Sequence, residues 1–194
     1  MHRENARTDS EHRVGRLFVL SGPSGAGKGT LREHALQDIP ALVYSISCTT
    51  RRPRPGELDG REYRFITHEQ FSEWVKQDRF LEYAHVHDDM YGTLKDDVIR
   101  ELEAGNNVLL EIDVQGALQV REKIPEALLI FVDIPSIQEL ERRLRDRNTE
   151  SESALKVRLA NAEKERALKS EYDYVIVNDE LDRACAELRR VIMS

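Results

Sequence analysis

Apolar residues fall along this chain in two rhythms, and the rhythm changes with position. Leu17-Phe18-Val19-Leu20 is an unbroken apolar run that ends in the Gly-rich stretch 21–29. A buried parallel strand entering a tight loop has this texture. A helix is predicted over 30–37, closed by Pro40, and a second strand over 42–46. Regular alternation resumes later, with a helix over 94–104 that stops at Gly105 and a strand over 107–112 leading into a helix over 114–123. A strand over 128–132, helices from 136 to about 147 and over 152–170, a strand over 174–177 and a helix over 181–192 complete the pattern. Alternating strands and helices at both ends predict an α/β fold on a parallel sheet.

Between 45 and 96 the texture differs. Residues 49–60, rich in arginine, proline and glycine, read as loop, and 63–65 as a short strand. Phe71, Trp74 and Val75 share one face of a helix predicted over 68–76. Residues 80–86 alternate like a strand, and Asp88-Asp89-Met90-Tyr91-Gly92 reads as a turn. This stretch is an insert within the parallel sheet, and neither a repeat nor a low-complexity segment is visible.

The chain has 194 residues, 40% hydrophobic and 34% charged, which suits one domain with a packed core and a very polar surface. A net charge of −7 argues against binding a nucleic-acid polymer, because a phosphate backbone needs a basic footprint. A small anionic ligand stays open where arginines concentrate. Cys48 and Cys185 lie far apart and read as reduced thiols, which points to a cytoplasmic location. No stretch approaches the length of a membrane span. Residues 1–13 mix Arg, His, Asp and Glu without an apolar run, and read as a disordered tail rather than a targeting segment.

The strongest chemical motif is Gly22-Pro23-Ser24-Gly25-Ala26-Gly27-Lys28-Gly29-Thr30. Glycines let successive backbone N–H groups turn inward around phosphate oxygens, a helix N-terminus stands behind them, and a lysine reaches the outer phosphates. The usual hydroxyl residue directly after the lysine is replaced here by Gly29, with the hydroxyl on Thr30. Which hydroxyl meets Mg²⁺ is therefore open. The second feature is Ser47-Cys48-Thr49-Thr50-Arg51-Arg52-Pro53-Arg54, continuing to Arg61-Glu62-Tyr63-Arg64. From 51 to 64 five arginines face three acidic residues in an otherwise acidic chain, and arginine forks suit a terminal phosphate. The third is Arg142-Arg143-Leu144-Arg145-Asp146-Arg147 with Arg158 beyond; a charged helix face paired to Glu139 and Glu141 is the plain alternative. His85 and His87 share a strand face ahead of Asp88, with no obvious third metal ligand, and read as structural or solvent-facing.

These segments carry a resemblance. Residues 47–57, Phe80-Leu81-Glu82-Tyr83-Ala84, Tyr91-Gly92-Thr93, Glu111-Ile112-Asp113-Val114-Gln115-Gly116 and Val177-Asn178-Asp179 resemble, in order, segments of the guanylate kinase family, and the glycine-for-hydroxyl variant after Lys28 is typical of nucleoside-monophosphate kinases. The resemblance runs from about Gly15 to Ile192. It implies a three-layer P-loop fold with a parallel central sheet, with a core of 14–44, 97–141 and 169–194. A mixed α/β GMP-binding insert would span 45–96 and a helical lid 142–168. It implies that Arg51, Arg54 and Tyr63 hold the GMP phosphate with Tyr91 nearby, and that Ser47, Glu82, Thr93 and Asp113 surround the guanine. The loop 22–30 and Asn178 would take ATP, Arg143 and Arg158 would meet phosphates, and Arg147 would lie near the adenine or the triphosphate. Lys28, Arg51, Arg143, Arg147 and Arg158 would carry catalysis. Mg²⁺ would be held mainly through phosphates and water, with Thr30 and Glu111 as candidate ligands.

Physics supports the carboxylates independently, because guanine offers N1–H and N2–H₂ as donors and an ionised carboxylate only accepts. Glu82 read alone fits a surface charge on an edge strand equally well. Asp113 follows an apolar strand, at the carboxyl end where α/β ligands bind. The chain departs from the family where it often has Asp for Glu111 and Gly-Arg-Gly for Asp146-Arg147-Asn148. The substrates expected are ATP with GMP or dGMP, for a monomer or homo-oligomer independent of any membrane. A non-catalytic interaction domain of the same fold, or a kinase for another phosphorylated small molecule, are the rival readings; the intact Lys28 counts against the first, and Glu82 with Asp113 against the second.

Overall fold

A computed structural model describes residues 14–37, 39–86, 88–146 and 151–194. Five parallel strands form the central sheet: β1 (Leu17–Ser21), β2 (Leu42–Tyr44), β7 (Asn107–Glu111), β8 (Leu128–Asp133) and β9 (Tyr174–Val177), in the order β2-β7-β1-β8-β9. The apolar runs of the inner strands β7, β1 and β8 are continuous because both of their faces are covered, whereas at the sheet edges β2 is only half-buried and Val175 of β9 is exposed. Phe18 and Leu20 point into one buried cluster with Leu31, Ile176, Leu188 and Ile192. Leu17 and Val19, one residue out of phase, point into another with Val98, Leu110, Val114 and Val120. The first face is covered by α1 (Lys28–Leu36) and α7 (Leu181–Met193), the second by α3 (Lys95–Glu103) and α4 (Val114–Lys123). Helices α5 (Ile137–Asp146) and α6 (Glu152–Ala167) join the first cluster through Leu140, Leu144, Leu155 and Ala162. Among the described residues no helix is long and apolar enough to cross a membrane.

A second sheet, ordered β4-β3-β6-β5, contains β3 (Cys48–Thr49), β4 (Arg64–Phe65), β5 (Phe80–Val86) and β6 (Asp89–Leu94). Its own small core joins Cys48, Phe80, Met90 and Leu94 to Phe71 of α2 (His68–Lys76). Thr67 caps that helix by accepting a hydrogen bond from the Gln70 N–H at 3.1 Å. Cys48 and Cys185 are buried in separate clusters.

Three elements differ from the sequence expectation. Residues 88–92 are not one turn: only Asp88 is, and β6 runs antiparallel to β5 with Thr93 opposite Glu82 and Gly92 opposite Tyr83. Gly92, placed in that turn from sequence, stands mid-strand with the Phe80 ring packed on it; a Cβ there would lie 2.9 Å from Phe80 Cδ1. The predicted loop 49–60 begins inside β3, a strand too short to leave a periodic signature. The long charged helix ends at Ala167, not 170, and passes into a 3-10 turn at Lys169–Glu171.

The second sheet is docked onto the first layer by polar contacts. The Gln119 side chain, on α4, accepts from the Tyr83 N–H at 3.1 Å and donates to the Tyr83 carbonyl at 2.8 Å. Lys123 donates to the Leu81 carbonyl at 2.7 Å. Two residues from the same helix thus satisfy β5 on either side of Glu82.

Candidate active site

The loop after β1 is shaped by glycines with positive φ: Gly22 at 137°, Gly25 at 95° and Gly27 at 88°. Crowding reinforces the requirement at Gly27, where a Cβ would fall 2.5 Å from Asn178 Nδ2. That amide donates to the Ala26 carbonyl at 2.7 Å, so buried Asn178 props the loop from beneath. Helix α1 starts at Lys28 without a side-chain cap, leaving its first N–H groups for an anion. Lys28 Nζ folds back to the carbonyls of Gly22 (2.5 Å) and Pro23 (3.2 Å). Burial lowers the Lys28 pKa, against the opposing pull of Glu111, Glu165 and Asp113.

A cavity of about 320 Å³ opens from this lysine toward the second sheet. It is lined by Ser24 and Lys28 of the loop, by Ser47, Tyr63, Glu82 and Tyr91 of the segment 45–96, and by Glu111 and Asp113 at the end of β7. The Tyr63 and Tyr91 rings meet edge to face at 5.8 Å. Glu82 is 3% exposed, and its Oε1 accepts from Thr93 Oγ1 at 2.6 Å. Burial, with Asp113 adding to it, pushes the Glu82 pKa up to about 7, although Thr93 and Lys123 pull the other way. Asp113 caps α4: its Oδ1 accepts from the Gly116 N–H at 2.7 Å. This carboxylate therefore also holds the fold, a second duty absent from the sequence reading.

The arginines separate into four surroundings. Arg51 is held by both Glu57 oxygens at 2.9 and 3.0 Å and by the Arg52 carbonyl at 2.8 Å, and lies over the Tyr63 ring at 5.5 Å. Arg54 and Arg158 line a larger opening of about 810 Å³ beside the first, with Asp113 and Glu165. Arg158 donates to Ser24 Oγ at 2.5 Å, joining α6 to the loop. Arg143 lines a separate groove of about 360 Å³ with Gly25, Gly27, Thr30 and Asn178. There it donates to Glu139 at 2.8 Å and to the Asn178 carbonyl at 2.8 Å. Arg142 pairs with Glu139 and Asp146, and Arg145 with Glu141 and Glu152, so these two form the charged helix face that was the plain alternative. Arg147 and His87 lie outside the described residues. His85 is exposed, and the described residues contain no group of three or more His, Cys, Asp or Glu placed to hold a metal.

Several residues at the site were not picked out from sequence. Glu57 clamps Arg51, and its membership of the 47–57 motif was the available signal. Arg32 stands 3.2 Å from Glu111 and 4.1 Å over the Tyr44 ring, fixing the carboxylate beside Lys28. Glu165, half-buried on α6, lines both openings, and burial raises its pKa. Nothing in the charge-rich sequence of α6 distinguishes it.

The family model described as guanylate kinase matches residues 14–194. The chain is 50% identical over 180 residues to a guanylate kinase of Rubrobacter xylanophilus, covering 93% of this chain and 94% of that protein. It is 50% identical over 179 residues to one of Fusobacterium nucleatum, covering 92% and 96%. A crystal structure of guanylate kinase from Anaplasma phagocytophilum superposes with a TM-score of 0.75 at 31% identity, covering 93% of this chain and 86% of that one. With Lys28 of the glycine-rich loop and the Glu82 and Asp113 carboxylates lining one cavity, and with these matches over nearly its whole length, the chain belongs to the guanylate kinase family.

Proposed function

We propose that the cavity between Lys28 and the Glu82–Asp113 pair takes GMP while the loop 22–30 takes the phosphates of ATP, so that the γ-phosphoryl group passes between them. The observation that supports this reading best is the cavity itself, whose lining joins the Lys28 cation to the Glu82 and Asp113 carboxylates, acceptors matched to guanine donors. The segment 45–96 is the GMP-binding insert and 142–168 the lid. Arg51, Arg54, Tyr63 and Tyr91 hold the monophosphate; Ser47, Thr93, Glu82 and Asp113 surround the base. Arg143, Arg158 and Asn178 serve the ATP side, where Arg147 belongs as well by resemblance.

The GMP phosphate is already an anion at neutral pH, so the reaction needs no general base. Its acceleration comes from positioning and from neutralising charge on the transferring group. Lys28, on releasing its bonds to Gly22 and Pro23, is the group nearest to hand. Arg158 brings a second cation to the loop. The lid excludes water that would compete with GMP.

The donor set suits Mg²⁺, which keeps several waters and binds through few carboxylates together with substrate phosphates. Thr30 and Glu111 line different openings, and the described residues hold no cluster of protein ligands; Glu111 would hold the ion through water, and the phosphates would supply the rest. When bound, Mg²⁺ supplies charge neutralisation and a template for the phosphate oxygens.

A coupled assay of ATP with GMP, dGMP, AMP, CMP and UMP tests the assignment, and turnover of AMP equal to that of GMP would overturn it. The Arg51 clamp makes a sharper expectation. Arg51→Ala should raise the KM for GMP about tenfold or more while the KM for ATP holds, since a lost charge-assisted fork falls on one substrate. Arg51→Lys should recover only part, because a point charge cannot face Glu57 and a phosphate at once in bidentate geometry. A rise confined to ATP would reverse the two substrate assignments.

A further inference from the structure

Gly116 occupies the third position of α4 and is buried. It is not among the residues with positive φ, so its own backbone does not call for glycine. Alanine is the better helix former at such a position. The reason for glycine lies next to it. A Cβ built there would fall 2.5 Å from Glu82 Oε2, 3.2 Å from Glu82 Cδ and 3.3 Å from Asp113 Oδ1. The atoms in the way are the two carboxylates assigned to the base, and none is backbone. Meanwhile the Gly116 N–H donates to Asp113 Oδ1 at 2.7 Å. One residue thus touches both groups, with its amide and with the side chain it lacks.

Glu82 cannot step aside freely. Its other oxygen is held by Thr93, and its strand is tied by Gln119 and Lys123 to the helix that carries Gly116. A methyl group at 116 would drive the carboxylate into the cavity or rotate it off Thr93. Either movement changes the spacing between Glu82 and Asp113.

We infer that Gly116 is a positioning residue for base selection: its missing side chain sets the separation of Glu82 and Asp113, and so the preference for guanine. The inference rests on the proposed role of those carboxylates as guanine acceptors. Guanine has paired donors to lose when the spacing changes, because hydrogen bonds weaken steeply with misalignment. Adenine has an acceptor at N1 and nothing at C2, and loses little.

The test is steady-state kinetics of Gly116→Ala in the full chain with GMP, AMP and ATP, beside thermal unfolding. The KM for GMP should rise about tenfold or more, with the ratio of GMP to AMP efficiency falling by a similar factor. The KM for ATP should hold, and the midpoint of unfolding should not account for the change. A glycine that served only packing would lower all substrates together, and that outcome, or an unchanged GMP to AMP ratio, overturns the inference. The same substitution made in a Glu82→Asp background supplies a second measurement, since the shorter side chain withdraws from the added methyl. Alanine at 116 should then cost several-fold less GMP efficiency than it does beside the native Glu82, a coupling that a double-mutant cycle reads directly. Equal cost in both backgrounds overturns the proposed contact, even if Gly116→Ala alone is poorly folded. If Glu82→Gln shifts the GMP to AMP ratio and Gly116→Ala does not, this inference fails alone; if Glu82→Gln leaves the ratio unchanged, the guanine assignment beneath it fails.

Discussion

Lys28→Ala should lower kcat by ~10²–10³ while leaving the fold and GMP binding nearly intact, the cost of removing one preorganised contact to a transition state, roughly 3–4 kcal/mol. In the substrate-free chain the ammonium is spent on the Gly22 and Pro23 carbonyls, which water in the cavity can serve once it is gone. Burial lowers the Lys28 pKa, and Glu111, Glu165 and Asp113 oppose that shift. A bound triphosphate brings more negative charge to the same place, which favours the charged ammonium just where the phosphoryl group moves. Stopped turnover with GMP affinity retained by calorimetry, and an unfolding midpoint close to that of the native chain, is the expected combination. Near-normal turnover would remove the loop lysine from the mechanism.

Glu82→Gln should cut the efficiency with GMP about tenfold or more and leave AMP flat or improved, at about 1.4 kcal/mol per decade. Each charge-assisted bond to guanine is worth roughly 1.5–3 kcal/mol, so two could supply ~10²–10⁴ in discrimination. The amide keeps the size and an acceptor for Thr93 but adds a donor where guanine already donates. The ratio of the two efficiencies is the measurement, because a folding defect would lower both.

The same residue carries a pH signature. With its pKa pushed up to about 7, Glu82 becomes protonated as pH falls through that value. The KM for GMP should therefore climb on acidification below about pH 7 in the native chain and stay flatter in Glu82→Gln. For stability the sign runs the opposite way. The folded pKa lies above the unfolded value of 4.5, so the folded chain holds a proton that the unfolded chain has already released. Stability contributed by this group is fully present below pH 4.5 and is lost as pH rises through about 7, a difference of roughly 3 kcal/mol. Glu82→Gln should accordingly raise the unfolding midpoint at pH 8 more than at pH 4. That stabilisation with loss of selectivity is the trade expected where a buried charge serves function. A midpoint shift independent of pH would place the Glu82 titration elsewhere.

Much of the architecture was legible in the residues themselves. Leu17 to Leu20, Val108 to Leu110 and Leu128 to Val132 are apolar at every step because helices cover both faces of these inner strands, and burial of that kind is written into each position. The Gly22–Thr30 motif was equally plain, since positive φ at Gly25 and Gly27 is a local demand that only glycine meets cheaply. The arginine concentration over 51–64 was visible too, although composition alone fitted a solvated charged loop as well as an anion site.

The rest depended on contacts between distant parts of the chain. Residues 89–94 became a strand because β3 and β5 flank them, and Gly92 sits among them only because Phe80 needs the room. Glu82 read as a possible surface charge until Gln119 and Lys123 drew β5 onto α4 and buried it beside Asp113. Glu57 as the clamp on Arg51, Glu165 as a wall of both openings, and Gly116 as the gap between two carboxylates follow from the same docking. Periodicity reports how each residue meets its own element's neighbours. The position of one carboxylate relative to another, set by side-chain hydrogen bonds between helix α4 and strand β5, exists only once the chain has packed.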